Sequence, residues 1–208
     1  MSLTMRDIRQ VDPAFTAKAA LWVRENCMLV SLETVRAMIH SDRLLLFDAD
    51  NENLRQPITY IQQRLAFGVR NSEEAFMPFE FRALEGILIH SCISVERDFY
   101  RIEKGLLELL ETLPTHSGPE YLERLRLEEQ GLNYLFARIR KFQYVLQTVL
   151  DTDEDMANMY LTEKYKTPEV RKNPMDHEEA EMLLESYLQV VDDLTSRAGL
   201  LNQAIDDT

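Results

Sequence analysis

The sequence predicts an α+β fold: a small β-sheet with a helix packed on it, followed by long α-helices that form an elongated bundle or stalk. Three observations carry that expectation. Short apolar runs bounded by turn residues occupy the first third of the chain. From Pro78 onward helical spacing holds for about thirty residues at a time. Gly and Pro are sparse in those later stretches.

Ala20-Leu21-Trp22-Val23, Cys27 to Leu32 and Leu44 to Phe47 read as buried strands, each a short apolar run bounded by Asn, Asp and Ser signals. Arg36 to His40 suits either a fourth strand or a short helix. Leu54 to Phe67 carries Ile58, Ile61 and Leu65 at helical spacing, with Pro57 tolerable in a first turn. Residues 1–77 are therefore expected to form a small α/β subdomain. Residues 78–208 are expected to form a long-helix bundle with a stalk helix, the two making one structural domain.

Pro78 marks a helix start, with Glu80 in the first turn where an acid favours the dipole. Phe81, Leu84, Leu88, Val95, Ile102, Leu106, Leu109 and Leu113 then hold one face. Pro114 and Pro119 separate this helix from a second, in which Leu125, Glu128, Leu132, Leu135, Ile139, Phe142, Leu146 and Val149 keep a 3-4 spacing that only Glu128 breaks. A third helix is expected from Pro174 or Asp176, with Asp176 and Glu179 as N-cap and capping-box acid. Its Ala180, Leu184, Tyr187, Val191, Leu194, Ala198, Leu201 and Ile205 form a coiled-coil-like heptad seam. Helices of about 30 residues reach about 45 Å, and so overhang a compact domain whose radius of gyration is near 17 Å. The last pattern runs to Asp207-Thr208 without a stop signal, as expected of a chain cut from something longer.

The charge is lopsided. The net charge is −13, and residues 151–208 hold 15 Asp and Glu against 5 Lys and Arg. Such acidity argues against nucleic acid and anionic membrane surfaces as partners. No run approaches the roughly 18 apolar residues of a membrane span. Cys27 and Cys92 form no metal-binding or redox spacing and suit buried thiols in a reducing compartment. The four histidines have no neighbouring Ser or Cys in a nucleophilic motif, and the glycines form no phosphate loop, so no enzyme activity is expected. His90 reads as a satisfied structural histidine, and Arg138, Arg140 and Lys141 as a solvent-facing cluster.

What needs an account is the stretch Asp151 to Thr162. Asp151, Asp153 and Asp155 match the first ligand spacing of an EF-hand, but Met156 stands where the Gly must be and Thr162 where the bidentate Glu must be. On the third helix, Glu178, Glu185, Asp192 and Asp206 share one heptad position, and Glu179, Asp193 and Asp207 the next. A solvated outer face explains such a stripe. So does a hard cation, since few Lys or Arg stand at i±4 to relieve the repulsion. Carboxylates without His or Cys nearby favour magnesium or calcium, and magnesium, which keeps most of its water, binds weakly to one or two of them.

Several segments agree, in order, with one family. Pro78-Phe79-Glu80-Phe81-Arg82-Ala83-Leu84-Glu85 resembles the P-F-E-F-R-A-L-E segment of the CorA superfamily of magnesium transporters, in its eukaryotic mitochondrial-type branch. Arg6-Asp7-Ile8-Arg9 with Asp12-Pro13, Leu150 to Thr162, Glu179 to Tyr187 and Asp192-Asp193-Leu194 resemble further segments of that branch. The family's Gly-Met-Asn signature and two membrane helices do not occur in these residues. The resemblance thus implies the soluble amino-terminal part of a homopentameric magnesium channel, facing the matrix at the mitochondrial inner membrane, or the cytoplasm in related branches. It implies that weakly bound regulatory Mg2+ at subunit contacts favours the closed state. The acids that match are Glu80, Asp151, Asp153, Glu154, Asp155, Glu179, Glu185, Asp192, Asp193, Asp206 and Asp207. The alternative is a helical interaction module whose acidic face docks a basic partner protein.

Overall fold

The computed structural model describes residues 18–70, 77–112, 118–167 and 175–206, together with Met5, Arg9, Val11, Asp12 and Asn173; the side chains of 67–70 and 206 are left out. The expectations on Arg6 to Ile8, Pro13, Leu113, Pro114, Pro174 and Asp207 lie outside the described residues.

Four strands, β1 (Ala20–Val23), β2 (Met28–Leu32), β3 (Val35–Ile39) and β4 (Leu44–Leu46), pair antiparallel in chain order. The segment from Arg36 is thus a strand. Its partner β2 is buried along its whole length, which explains an apolar run interrupted only by the buried Ser31: both faces are covered. One face turns Leu21, Val30 and Ala37, matched across the register, to the main core. The other face turns Leu29 and Met38 to Val11 and Cys27, with Trp22 and Phe47 packed against them.

After a single 3-10 turn at Glu52–Leu54, α1 (Arg55–Arg70) packs on α2 (Phe79–Thr112). Gly86 permits that contact, because a Cβ there would lie 3.2 Å from the Ile61 Cα. The long helices follow as α3 (Pro119–Leu150) and α6 (Glu178–Asp206), with two short helices, α4 (Asp153–Asn158) and α5 (Leu161–Lys166), between them. At 34, 32 and 29 residues, α2, α3 and α6 are near 51, 48 and 44 Å long.

The seams read from the sequence are the buried faces. Phe81, Leu84, Leu88, Val95, Ile102, Leu106 and Leu109 of α2 are buried, as are Leu132, Leu135, Ile139, Phe142, Leu146 and Val149 of α3. Ala180, Leu184, Val191, Leu194, Ala198 and Leu201 complete the set on α6, with Tyr187 and Ile205 packed at its margin. Glu128, the one break in the α3 seam, lies against Gly105 of α2, where a Cβ would approach its carboxylate carbon to 3.4 Å. The chain thus accommodates a carboxylate in a seam by emptying the facing position. A single apolar cluster runs from the sheet through all three long helices.

Candidate functional site

The acidic stretch is built by alternation of solvent-facing carboxylates and buried apolar groups. Helix α3 ends at Asp151, whose carboxylate accepts a hydrogen bond from Gln147 Nε2 at 2.9 Å. Thr152 is extended (φ −131°) and breaks the helix, and α4 restarts with Asp153, Glu154 and Asp155 in its first turn. Acids belong there, against the positive end of the helix dipole. Asp153 and Glu154 are exposed, whereas Met156, Ala157, Met159, Tyr160 and Leu161 are buried. The apolar residues pin the segment down and leave the carboxylates at the rim.

Two polar contacts fix this rim to the long helices, and a third ties α5 to α4 within it. The Tyr160 ring meets Phe81 of α2 edge-on at 4.9 Å, and its phenol oxygen accepts a hydrogen bond from the Ala180 N–H of α6 at 3.3 Å. Burial pushes that phenol up to about 12. Lys164 donates from Nζ to the Asn158 carbonyl and side-chain oxygens, both at 2.7 Å, and burial lowers its pKa. Glu80, wholly buried in the first turn of α2, accepts from the Thr162 N–H at 2.7 Å and from Thr162 Oγ1 at 2.5 Å. Its two oxygens are therefore engaged inside the protein, whereas Asp151, Asp153 and Glu154 are exposed.

The remaining matched acids lie along α6. Glu179, Glu185, Asp192 and Asp193 are exposed, opposite the buried seam. From Glu179 to Asp193 the helix rises about 21 Å, so these groups cannot surround one ion whose ligands lie about 2.0–2.6 Å away. Asp192 accepts from Gln143 Nε2 at 2.8 Å. Asp206 closes the helix, its side chain outside the description. Asp153 Oδ1 and Glu181 Oε2 approach His177 Nε2, at 3.8 and 3.6 Å. Among the described residues no group of three or more His, Cys, Asp or Glu is placed to hold a metal ion. Among the described residues of one chain the acids form a rim and a stripe, not a cage.

Asp155 differs from its neighbours in being partly buried. Loss of solvent raises its carboxyl pKa, Arg24 pulls it back and Glu154 adds to the rise. A carboxylate held in that state gains from a nearby cation.

Two sequence expectations are corrected here. Arg138 is not solvent-facing: it is three-quarters buried in an ion triad, with Nε and Nη2 on Glu33 and Nη1 on Asp98 at 2.8 Å. Its partners lie 105 and 40 residues away, beyond any local periodicity. Only Arg140 and Lys141 are exposed. His90, expected to be satisfied, is buried with its Nδ1 lacking a hydrogen-bond partner. Burial lowers its pKa, Arg97 lowers it further, and its ring lies 5.8 Å from Tyr60. Thr162, Tyr160, Lys164 and His177 escaped notice as fixing residues. Tyr160 and Thr162 belong to the segment that resembles the family, but nothing in the spacing of these four residues marks them as fixing residues.

A small antiparallel sheet on very long helices, rimmed by carboxylates, fits the class that the resemblance names, the CorA superfamily of magnesium transporters. The family described as "Magnesium transporter MRS2-like" matches residues 1–208, and the chain belongs to it. It is 30% identical to "Magnesium transporter MRS2-7" of Arabidopsis thaliana, across 98% of this chain and 64% of that protein. It is 29% identical to "Mitochondrial inner membrane magnesium transporter mrs2" of Aspergillus fumigatus, across 99% and 34%. It is 30% identical to "Mitochondrial inner membrane magnesium transporter MRS2" of Debaryomyces hansenii, across 98% and 43%. The chain thus spans between about a third and just under two thirds of the length of these relatives. Among the described residues no helix is long and apolar enough to cross a membrane.

Proposed function

We propose that this chain is the metal-sensing, non-conducting part of an MRS2-type magnesium transporter, and that Mg2+ held weakly by its rim acids favours the closed channel. The observation that carries the reading is the disposition of Asp151 to Thr162: apolar side chains anchor the stretch while Asp151, Asp153 and Glu154 stay exposed at its rim. A rim without a cage suits an ion that keeps most of its water and accepts one or two carboxylates from each of two surfaces. The second surface is another copy of the chain in a pentamer, with the α6 stripe (Glu179, Glu185, Asp192, Asp193) available for the same purpose. The mitochondrial inner membrane is the location in the names of the A. fumigatus and D. hansenii relatives. The transport step belongs to membrane helices joined to this part.

The test compares this chain with a variant carrying Asn or Gln at Asp151, Asp153, Glu154 and Asp155. A ligand at ten times its dissociation constant adds about 1.4 kcal/mol to the state it binds, or roughly 3–6 °C in melting temperature for a chain of this size. Magnesium should raise the melting temperature or the self-association of the unmodified chain more than sodium chloride of equal ionic strength. The variant should lose most of that difference. Equal action of the two salts on the unmodified chain would defeat the sensor reading and favour an acidic face that docks a basic protein.

A further inference from the structure

Away from the rim, one cleft reverses the charge of the molecule. It has a volume of about 960 Å³ and lies between the β2–β3 end of the sheet and the middle of α3. In a chain of net charge −13 it is lined by Lys18, Arg36, Arg138, Arg140 and Lys141 against two carboxylates, Glu33 and Asp98. Both carboxylates are committed to Arg138. Among the described residues none of the other four cations lies within 4.0 Å of a carboxylate oxygen. Arg36 carries the argument furthest. It is half-buried on β3, and its Nε is shut off from solvent with no hydrogen-bond acceptor. A guanidinium donor left in that state costs free energy, and because solvent does not reach it where it lies, an anion in the cleft gains it only when the Arg36 side chain turns outward. The walls also carry Tyr134 and Tyr144, each 70% exposed, and Arg140 lies over the Phe136 ring at 4.5 Å. The cleft is about ten residues, or about 15 Å along α3, from Asp151, so it is a separate site from the acidic rim.

We propose that this cleft binds a phosphate-bearing small anion of two or more charges. Guanidinium forks match the paired oxygens of a phosphate, and lysines add point charge without geometric demand. The volume suits a small molecule, and the tyrosines offer a stacking face for any ring attached to it. A nucleoside polyphosphate and a free polyphosphate share this chemistry.

The experiment uses this chain in a buffer with EDTA, so that no metal–phosphate complex forms, and titrates pyrophosphate and ATP calorimetrically at fixed ionic strength. Saturable binding is expected for at least one of them, weakened about tenfold or more by combining Arg36→Gln with Lys141→Gln. The control, Lys104→Gln with Arg126→Gln, removes the same charge outside the cleft and should leave affinity unchanged. Tighter binding of ATP than of pyrophosphate supports a nucleotide; equal binding supports the polyphosphate alone. Absence of saturable binding by either anion overturns the proposal, as does equal weakening in the control. Displacement of the anion by a peptide of residues 178–193 would also overturn it, assigning the cleft to the acidic stripe of a second copy. Circular dichroism of each variant separates lost binding from lost fold.

Discussion

Glu80 and Thr162 are the pair on which the rim's position depends. They are 82 residues apart, and the buried carboxylate takes both the backbone and the hydroxyl hydrogen of Thr162. Glu80→Ala leaves the Thr162 N–H without an acceptor and its hydroxyl with only the Ser41 carbonyl at 3.4 Å, and should destabilise the fold by about 1–3 kcal/mol in urea. Thr162→Val removes only the hydroxyl and should cost less, and the double variant should show a coupling of about 0.5–3 kcal/mol. Additive effects would mean that the contact contributes nothing as a pair. His90 supplies a second, pH-dependent case. Its folded pKa lies below the ordinary 6.5 because burial opposes the charge. As pH falls through about 6.5 the unfolded chain takes up a proton that the folded chain refuses, so stability is lost on acidification until the folded pKa is passed. Urea stability at pH 7.5 minus that at pH 5.5 should shrink in His90→Leu, with the other histidines common to both proteins. At this scale the sequence was legible only in part. The motif placed Glu80 at a helix start, but its partner, like those of Arg138, is set by tertiary packing that no local spacing encodes.

Among the elements, α6 separates its two faces most cleanly. Leu194 is 2% exposed in the seam, so Leu194→Ala should cost about 2–5 kcal/mol. Asp192 is exposed and its carboxylate accepts from the partly buried Gln143, a bond that Asn can keep through its own oxygen, so Asp192→Asn should stay within about 0.5 kcal/mol. Equal destabilisation by the two, measured in urea, would place the helix faces wrongly. The facing pair on α2 and α3 behaves differently: Gly105→Ala sets a methyl against Glu128, whose flexible end has to yield by tenths of an ångström. The long helices were readable because a 3-4 repeat sustained over eight or nine turns has no other physical solution. The α4–α5 turn pair was not. Each is six residues long, too short for a period to register. Each is held by contacts to distant elements, Tyr160 to Phe81 and Ala180, and Thr162 to Glu80. The helix α6 itself begins at Glu178, two residues beyond Asp176, the later of the two expected starts, Pro174 and Asp176.

At the scale of the molecule, the question is whether sheet and helices unfold together. One buried cluster includes Met28, Val30 and Ile39 of the sheet, Phe81 and Leu88 of α2, Leu146 of α3 and Leu194 of α6. The Arg138 triad adds a polar tie between the β2–β3 turn, α2 and α3. Glu33 sits in that turn with φ of 50°, a left-handed conformation costing about 1–2 kcal/mol for a residue with a Cβ, and its carboxylate is what Arg138 holds. A sheet bound this way has little apolar surface to bury on its own, and four short strands make a marginal unit when isolated. The chain offers two probes for the test. Trp22, the single tryptophan, lies on β1 and reports the sheet, while far-UV circular dichroism is dominated by the long helices. Urea transitions followed by the two signals should coincide in midpoint and slope, as for one cooperative unit. Glu33→Ala should then lower both midpoints together, because the anchor it removes joins the parts. A tryptophan transition that precedes the helical one, in the unmodified chain, would instead make residues 1–77 a unit that detaches before the bundle melts.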